Sequence, residues 1–179
     1  MAPHARRRIC LIGPESTGKT ELAQRLAREL GVAWSAEYAR EYAEARGNDL
    51  CAGDVEPIAR GQIANEDRID GDLVILDTDL ISTVVYARHY YGSCPEWIER
   101  TARERRADLY LLFDTDVPWT ADVVRDPAGD TREDQFDAFR CALDEFETRW
   151  HIVSGDFEER FRSVLEVLER PTPHPPDPA

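Results

Sequence analysis

The chain has 179 residues, with 36 acidic and 22 basic side chains, a net charge of −14 and 42% hydrophobic content. A chain of this length buries about 70% of its unfolded surface without staples, so one self-sufficient domain is expected. The acidity argues against general DNA or RNA binding, no apolar run approaches the roughly 20 residues of a membrane span, and the stretch after Arg6-Arg7-Arg8 is too short for an export signal.

A cytoplasmic protein is therefore expected, with small-molecule rather than nucleic-acid or membrane partners. Cys10, Cys51, Cys94 and Cys141 form no C-x-x-C pair and no zinc-type spacing, which predicts reduced thiols, with Cys10 in the core. The sequence is silent on oligomeric state.

The elements follow in chain order. Arg8 to Gly13 predicts a short buried strand ending at glycine. Leu22, Leu26 and Leu30 recur at helical spacing, with Gly31 as the stop. Residues 32–37 predict a second strand, and residues 38–46 a helix closed by Gly47-Asn48. Asp54 is placed to cap a helix running to about Ile69, with Pro57 in its first turn. Residues 73–76 predict a buried strand ending in Asp77-Thr78-Asp79. Helices are expected over 79–91 and 95–106, and a fourth strand over 109–113 that ends in Asp114-Thr115-Asp116.

Residues 117–130 read as loop. A helix over 131–149 carries Phe136, Phe139, Leu143 and Phe146 on one face, a stripe read as core packing. Residues 151–153 predict a fifth strand, and Asp156 caps a last helix. The proline-rich segment 171–179 reads as disordered. The resulting organisation is a flexible start at 1–7, one domain over 8–170 with a lid at about 118–135, and the tail. Strands alternating with helices argue for a parallel sheet covered on both faces.

One motif carries chemistry. Gly13-Pro14-Glu15-Ser16-Thr17-Gly18-Lys19-Thr20 matches G-x-x-x-x-G-K-[ST] between a buried strand and an amphipathic helix. Such a loop curls so that its N–H groups face phosphate oxygens at a helix N-terminus. Lys19 would reach the β- and γ-phosphates of ATP, and Thr20 would offer its hydroxyl to Mg²⁺. Lys19 is also the only lysine of the chain. Asp77, ending an apolar strand, is a candidate Mg²⁺ residue, and Asp79 fits either a helix cap or a functional carboxylate.

With one lysine, the Asn-Lys-x-Asp segment of guanine-specific switch proteins cannot exist here, and no room remains for the helical second domain of ring-forming ATPases. Small kinases remain. They need a base near the acceptor hydroxyl and an arginine-bearing cover over the phosphates. Glu37 and Asp79 are the candidate bases; Arg125 and Arg132 are the candidate cover cations.

These segments together resemble ribosylnicotinamide kinase domains of the NadR type, within the wider NadR-like P-loop (AAA_28) family. The resemblance rests on Gly13 to Thr20, Glu37-Tyr38-Ala39-Arg40-Glu41, Asp77-Thr78-Asp79 with Thr83, Pro118-Trp119 followed by Asp122 and Arg125, and Gly155 with Arg160. It implies a P-loop NTPase fold: a five-stranded parallel sheet in the order 2-3-1-4-5, helices on both faces and a small mobile lid. It also implies transfer from ATP, with Mg²⁺, to the ribose 5′-hydroxyl of nicotinamide riboside. Glu37 and Arg40 would face the acceptor, Trp119 would lie near the cover, and Gly155 would lie near the nucleotide. Tyr38 or Trp34 is available to stack on the cationic nicotinamide ring, and core packing stands as an equal reading of both.

Two features depart from the family. Only residues 1–7 precede the expected first strand, so the adenylyltransferase and DNA-binding domains that precede the kinase in NadR-type regulators are not expected here. Asp122-Val123 stands where the family often has Asp-Gly. Two alternatives stay open: a kinase for another nucleoside or nucleotide, for which Arg40 could bind a monophosphate, and a nucleotide-binding regulatory ATPase module.

Overall fold

The computed structural model describes residues 6–116 and 132–169. Most of the expected lid, including Trp119 and Arg125, and the proline-rich tail lie outside the described residues. Among those described, no helix is long and apolar enough to cross a membrane.

Five parallel strands form one sheet in the order β2-β3-β1-β4-β5. They are β1 (Arg7–Ile12), β2 (Ala33–Ser35), β3 (Leu73–Asp77), β4 (Leu109–Phe113) and β5 (Trp150–Val153). The helices are α1 (Lys19–Leu30), α2 (Tyr38–Ala45), α3 (Val55–Asp67), α4 (Leu80–Tyr91), α5 (Glu96–Glu104), α6 (Arg132–Glu145) and α7 (Phe157–Glu169). A 3₁₀ turn at Ala52–Asp54 leads into α3. The sheet order implied by the resemblance is the order found.

Strand periodicity sorts the core into two layers. Ile9, Leu11, Ile75, Leu109, Leu111 and Phe113 face α1 and α7, where they meet Leu22, Leu26, Phe161 and Val164. Cys10, Ile12, Val74, Leu76, Tyr110 and Leu112 face the opposite layer of α3 to α6. Burial of both faces explains why the central strands are continuous apolar runs rather than alternating ones. Each fully buried leucine or isoleucine adds about 1.5–3 kcal/mol of burial free energy. The phenylalanine stripe is core as expected: Phe139 and Leu143 of α6 and Phe146 just beyond its end are fully buried, and Phe136 packs partly buried against them. Cys10 is buried too, and burial pushes its thiol well above the usual range.

Some boundaries differ from the sequence reading. α6 stops at Glu145, not at 149. Glu147 turns left-handed at φ 53°, the Glu147 N–H bonds to the Asp144 carbonyl at 3.0 Å, and the Thr148 N–H bonds to the Leu143 carbonyl at 3.1 Å. That is a Schellman end built without glycine, so no stop residue announces it. β1 begins at Arg7, and the Arg6 guanidinium is tied to the carbonyls of Glu66 and Ile69.

Candidate active site

The loop after β1 folds as a phosphate cradle. Gly13 has φ 137°, and a Cβ there would sit 2.9 Å from the Phe113 carbonyl oxygen, so β4 leaves room for glycine alone. Gly18, left-handed at φ 84°, starts α1, placing Lys19 and Thr20 in its first turn. The Lys19 ammonium is buried and donates to the Pro14 carbonyl at 2.5 Å. Burial depresses its pKa, and Glu37 is the foremost charge opposing that shift.

Asp77 extends the α1-facing set of Leu73 and Ile75, which brings its carboxylate to Thr20. The Thr20 hydroxyl donates to Asp77 Oδ2 at 2.6 Å. Burial pushes Asp77 up to about 6, against the pull of that hydrogen bond. Its Oδ1 is buried without a hydrogen-bond partner. A buried carboxylate oxygen left open beside a hydroxyl is a hard-oxygen donor set suited to a small divalent cation such as Mg²⁺.

Asp79 lies elsewhere. Thr78 between the two aspartates is left-handed at φ 65°, which breaks the strand alternation and sends Asp79 into the opposite layer. There Asp79 Oδ1 caps α4 by accepting from the Ile81 N–H at 2.9 Å. Its Oδ2 accepts from the Tyr110 hydroxyl at 2.6 Å. Burial raises this carboxyl to about 6. Both oxygens are committed to the fold, and Asp79 does not line the cavity beside the P-loop.

Glu37 does. It immediately precedes α2 and lines a cavity of about 290 Å³ together with Glu15 of the loop. The half-exposed Arg40 stands one helical turn on, 3.8 Å from the Glu37 carboxylate. The far wall comes from α4, where Thr83, Tyr86 and Tyr90 follow one another at helical spacing, joined by Tyr91. Tyr86 and Tyr90 are parallel at 6.0 Å between centroids, and Tyr86 is braced edge-on by Phe139 at 5.4 Å.

The sequence reading missed these tyrosines, although their i, i+4 spacing was present in a helix it had placed. Tyr38 and Trp34, the aromatics with a stacking or a core role open, do not line the cavity. The Tyr38 ring occupies the space over Gly61 of α3, where a Cβ would come within 1.9 Å of it, so Tyr38 is a helix-packing residue. Trp34 packs in the layer of α1. Gln62 was also missed. Its side-chain oxygen accepts from the Tyr38 N–H at 3.0 Å, and its amide donates to Glu66 and to the Thr78 carbonyl, tying the start of α2 to the end of β3.

A second group gathers on the other side of the loop. The Gly155 N–H donates to Asp116 Oδ2 at 2.6 Å. Arg132, the first residue of α6, has its pKa lowered by burial and by the nearby positive Arg160, with Asp116 opposing. Arg132 thus belongs to a helix start beside Asp116 and Arg160. Arg125 and Trp119 lie outside the described residues.

Fold and loop together define a P-loop nucleotide-binding α/β domain. The chain belongs to the AAA_28 family, an AAA domain, whose model matches residues 8–160. It is 26% identical over 172 residues to the trifunctional NAD biosynthesis/regulator protein NadR of Salmonella typhimurium, covering 91% of this chain and 42% of that one. The corresponding Escherichia coli protein is 26% identical over 171 residues. The chain therefore spans less than half the length of these relatives. A crystal structure of NadR in complex with NR superposes with a TM-score of 0.79 at 27% identity, over 92% of this chain and 51% of that one. Another NadR structure, in complex with NAD and AMP-PNP, gives a TM-score of 0.75 at 26% identity. Thymidylate kinase from Ehrlichia chaffeensis shares the fold at 16% identity, with a TM-score of 0.67.

Proposed function

We propose that this chain is an ATP- and Mg²⁺-dependent kinase that phosphorylates the ribose 5′-hydroxyl of nicotinamide riboside to give nicotinamide mononucleotide. One observation carries the reading: Glu37 lines the tyrosine-walled cavity and is also the foremost charge acting on Lys19. An acceptor in that cavity thus has a carboxylate at the border with the phosphate loop. The likeness to NadR structures holding NR and AMP-PNP supports the choice of acceptor and donor. The cavity lining supports it as well. It contains Glu15, Glu37 and three tyrosines, and none of its described residues is lysine, arginine or histidine. Aromatic faces and carboxylates suit a cationic base; a monophosphate acceptor would call for cations instead.

In the proposed mechanism Glu37 accepts the proton of the 5′-hydroxyl as that oxygen bonds to the γ-phosphorus. The bond from the γ-phosphorus to the β,γ-bridging oxygen breaks, and its electron pair leaves with ADP. The loop N–H groups and Lys19 hold the phosphates and offset charge on the moving group. Thr20 and Asp77 would hold Mg²⁺, which when bound neutralises phosphate charge. Asp79 serves the fold rather than the chemistry, and Gly155 and Arg132 lie toward the nucleotide. The domain is taken to span 8–170, with its cover between β4 and α6.

The test is incubation with ATP and Mg²⁺, with and without nicotinamide riboside, following ADP and riboside product by mass. Riboside-dependent ADP with equal nicotinamide mononucleotide is expected. ADP release indifferent to the riboside overturns this acceptor.

A further inference from the structure

Arg160, in the first turn of α7, is 1% exposed, as deeply buried as Asp77. Every nitrogen of its guanidinium is used. Nε donates to the Gly155 carbonyl at 2.8 Å, and one terminal nitrogen donates to the Thr17 carbonyl at 2.8 Å. The other donates to the Asp114 carbonyl at 3.1 Å and pairs with Asp116. One planar group thus joins the phosphate loop, the end of β4 and the turn between β5 and α7. Asp116 doubles the link to that turn by accepting the Gly155 N–H.

Burying an arginine this completely requires the full set of acceptors it has here. The contact with Thr17 bears on the site itself. Thr17 precedes the first turn of α1, so its carbonyl has no place in the helix ladder, which begins with the Leu22 N–H on the Gly18 carbonyl. In a trans peptide the carbonyl and the following N–H point in opposite directions. A Thr17 carbonyl held toward α7 therefore turns the Gly18 N–H away from α7, over the N-terminus of α1.

We propose that Arg160 is a positioning residue that fixes the Thr17–Gly18 peptide, so that the Gly18 N–H faces the phosphates of the bound nucleotide. It touches neither substrate; it acts through the loop backbone. The inference rests on the nucleotide half of the proposed function and is indifferent to the acceptor. Left-handed Gly18 has no side chain to hold this peptide, and it is exposed. The hold comes instead from 143 residues further along the chain.

Calorimetric titration with ADP tests this in Arg160→Lys, which keeps the charge but loses the planar fork. The expected result is a Kd for ADP raised about tenfold. The KM for ATP should rise in parallel, while the KM for nicotinamide riboside at saturating ATP stays at the wild-type value. A folded variant that melts earlier but binds ADP within twofold of wild type overturns the proposal, as does an equal loss for ADP and riboside. If Arg160→Lys does not fold, Asp116→Asn carries the test. It leaves the arginine its carbonyl acceptors and should weaken ADP about threefold; unchanged ADP affinity there overturns the proposal too. Wild-type protein that binds ADP yet leaves the riboside untouched sinks the acceptor reading and spares this one.

Discussion

The two ends of the candidate site are built in different ways. The phosphate end is local: one loop of eight residues, with Asp77 from the neighbouring strand bonded to Thr20. The end proposed to hold the acceptor is dispersed: Glu37 comes from the start of α2, Val55 and Ile58 from α3, and three tyrosines from α4. A local site is fixed by backbone conformation, so its residues must be glycines and small polar groups at set spacing. A dispersed site is fixed by how helices pack, and any residue of about the right shape can serve.

The contrast predicts different failures. Lys19→Ala strikes the local end and should lower turnover by about 10³-fold or more, since it removes a cation from the moving phosphoryl group. The fold should survive. Burial already disfavours this ammonium, and alanine is the better residue in the first turn of α1. Steady-state turnover together with a melting curve checks both halves; wild-type-like turnover would end the kinase assignment.

Glu37→Gln tests the border between the two ends. Loss of a general base should slow transfer about 10²- to 10³-fold. ATP affinity should stay near wild type, because Glu37 lines the tyrosine-walled cavity proposed for the acceptor. Single-turnover rates with a separate ATP titration separate the two effects. A fall in ATP affinity with an unchanged chemical step would remove Glu37 from the role of base.

How far the sequence could be read follows the same division. The P-loop, the Asp77 strand and the alternation of strands and helices were legible because each rests on local rules. Asp79 was not. As a residue two beyond Asp77 it would share the same face in an extended strand, and only the left-handed Thr78 sends it to the other layer. Nothing in the identity of a threonine signals that conformation. For Tyr38 stacking and core packing could not be told apart, because the space its ring fills is set by Gly61, twenty-three positions away on another helix. The tyrosine wall was visible as spacing, but which helix face turns to a cavity is decided by packing against residues such as Phe139.

Tyr110→Phe checks that Asp79 belongs to the fold. The substitution deletes one hydroxyl, which leaves Asp79 Oδ2 without the donor it has at 2.6 Å and the buried Ala107 N–H without its acceptor at 3.0 Å. That should cost about 1–3 kcal/mol of stability. In a domain of this size the melting temperature should drop by several degrees, while kcat at saturating substrates stays within about twofold. A large fall in kcat with an unchanged melting temperature would return Asp79 to the chemistry.

The smallest expected effect is at the aromatic wall. Tyr90→Leu keeps an apolar side chain in the wall and removes the ring that lies parallel to Tyr86. If the wall meets a cationic ring, the loss is about 1 kcal/mol, or about fivefold in the KM for nicotinamide riboside. The KM for ATP should not move, because Tyr90 belongs to the dispersed end of the site. A neutral riboside would sharpen the result: its binding should respond less to the same substitution, since the ring quadrupole acts on charge while packing area does not. An equal response from neutral and charged ribosides would mean that the wall recognises shape alone, and the preference for a cationic base would have to come from Glu15 and Glu37.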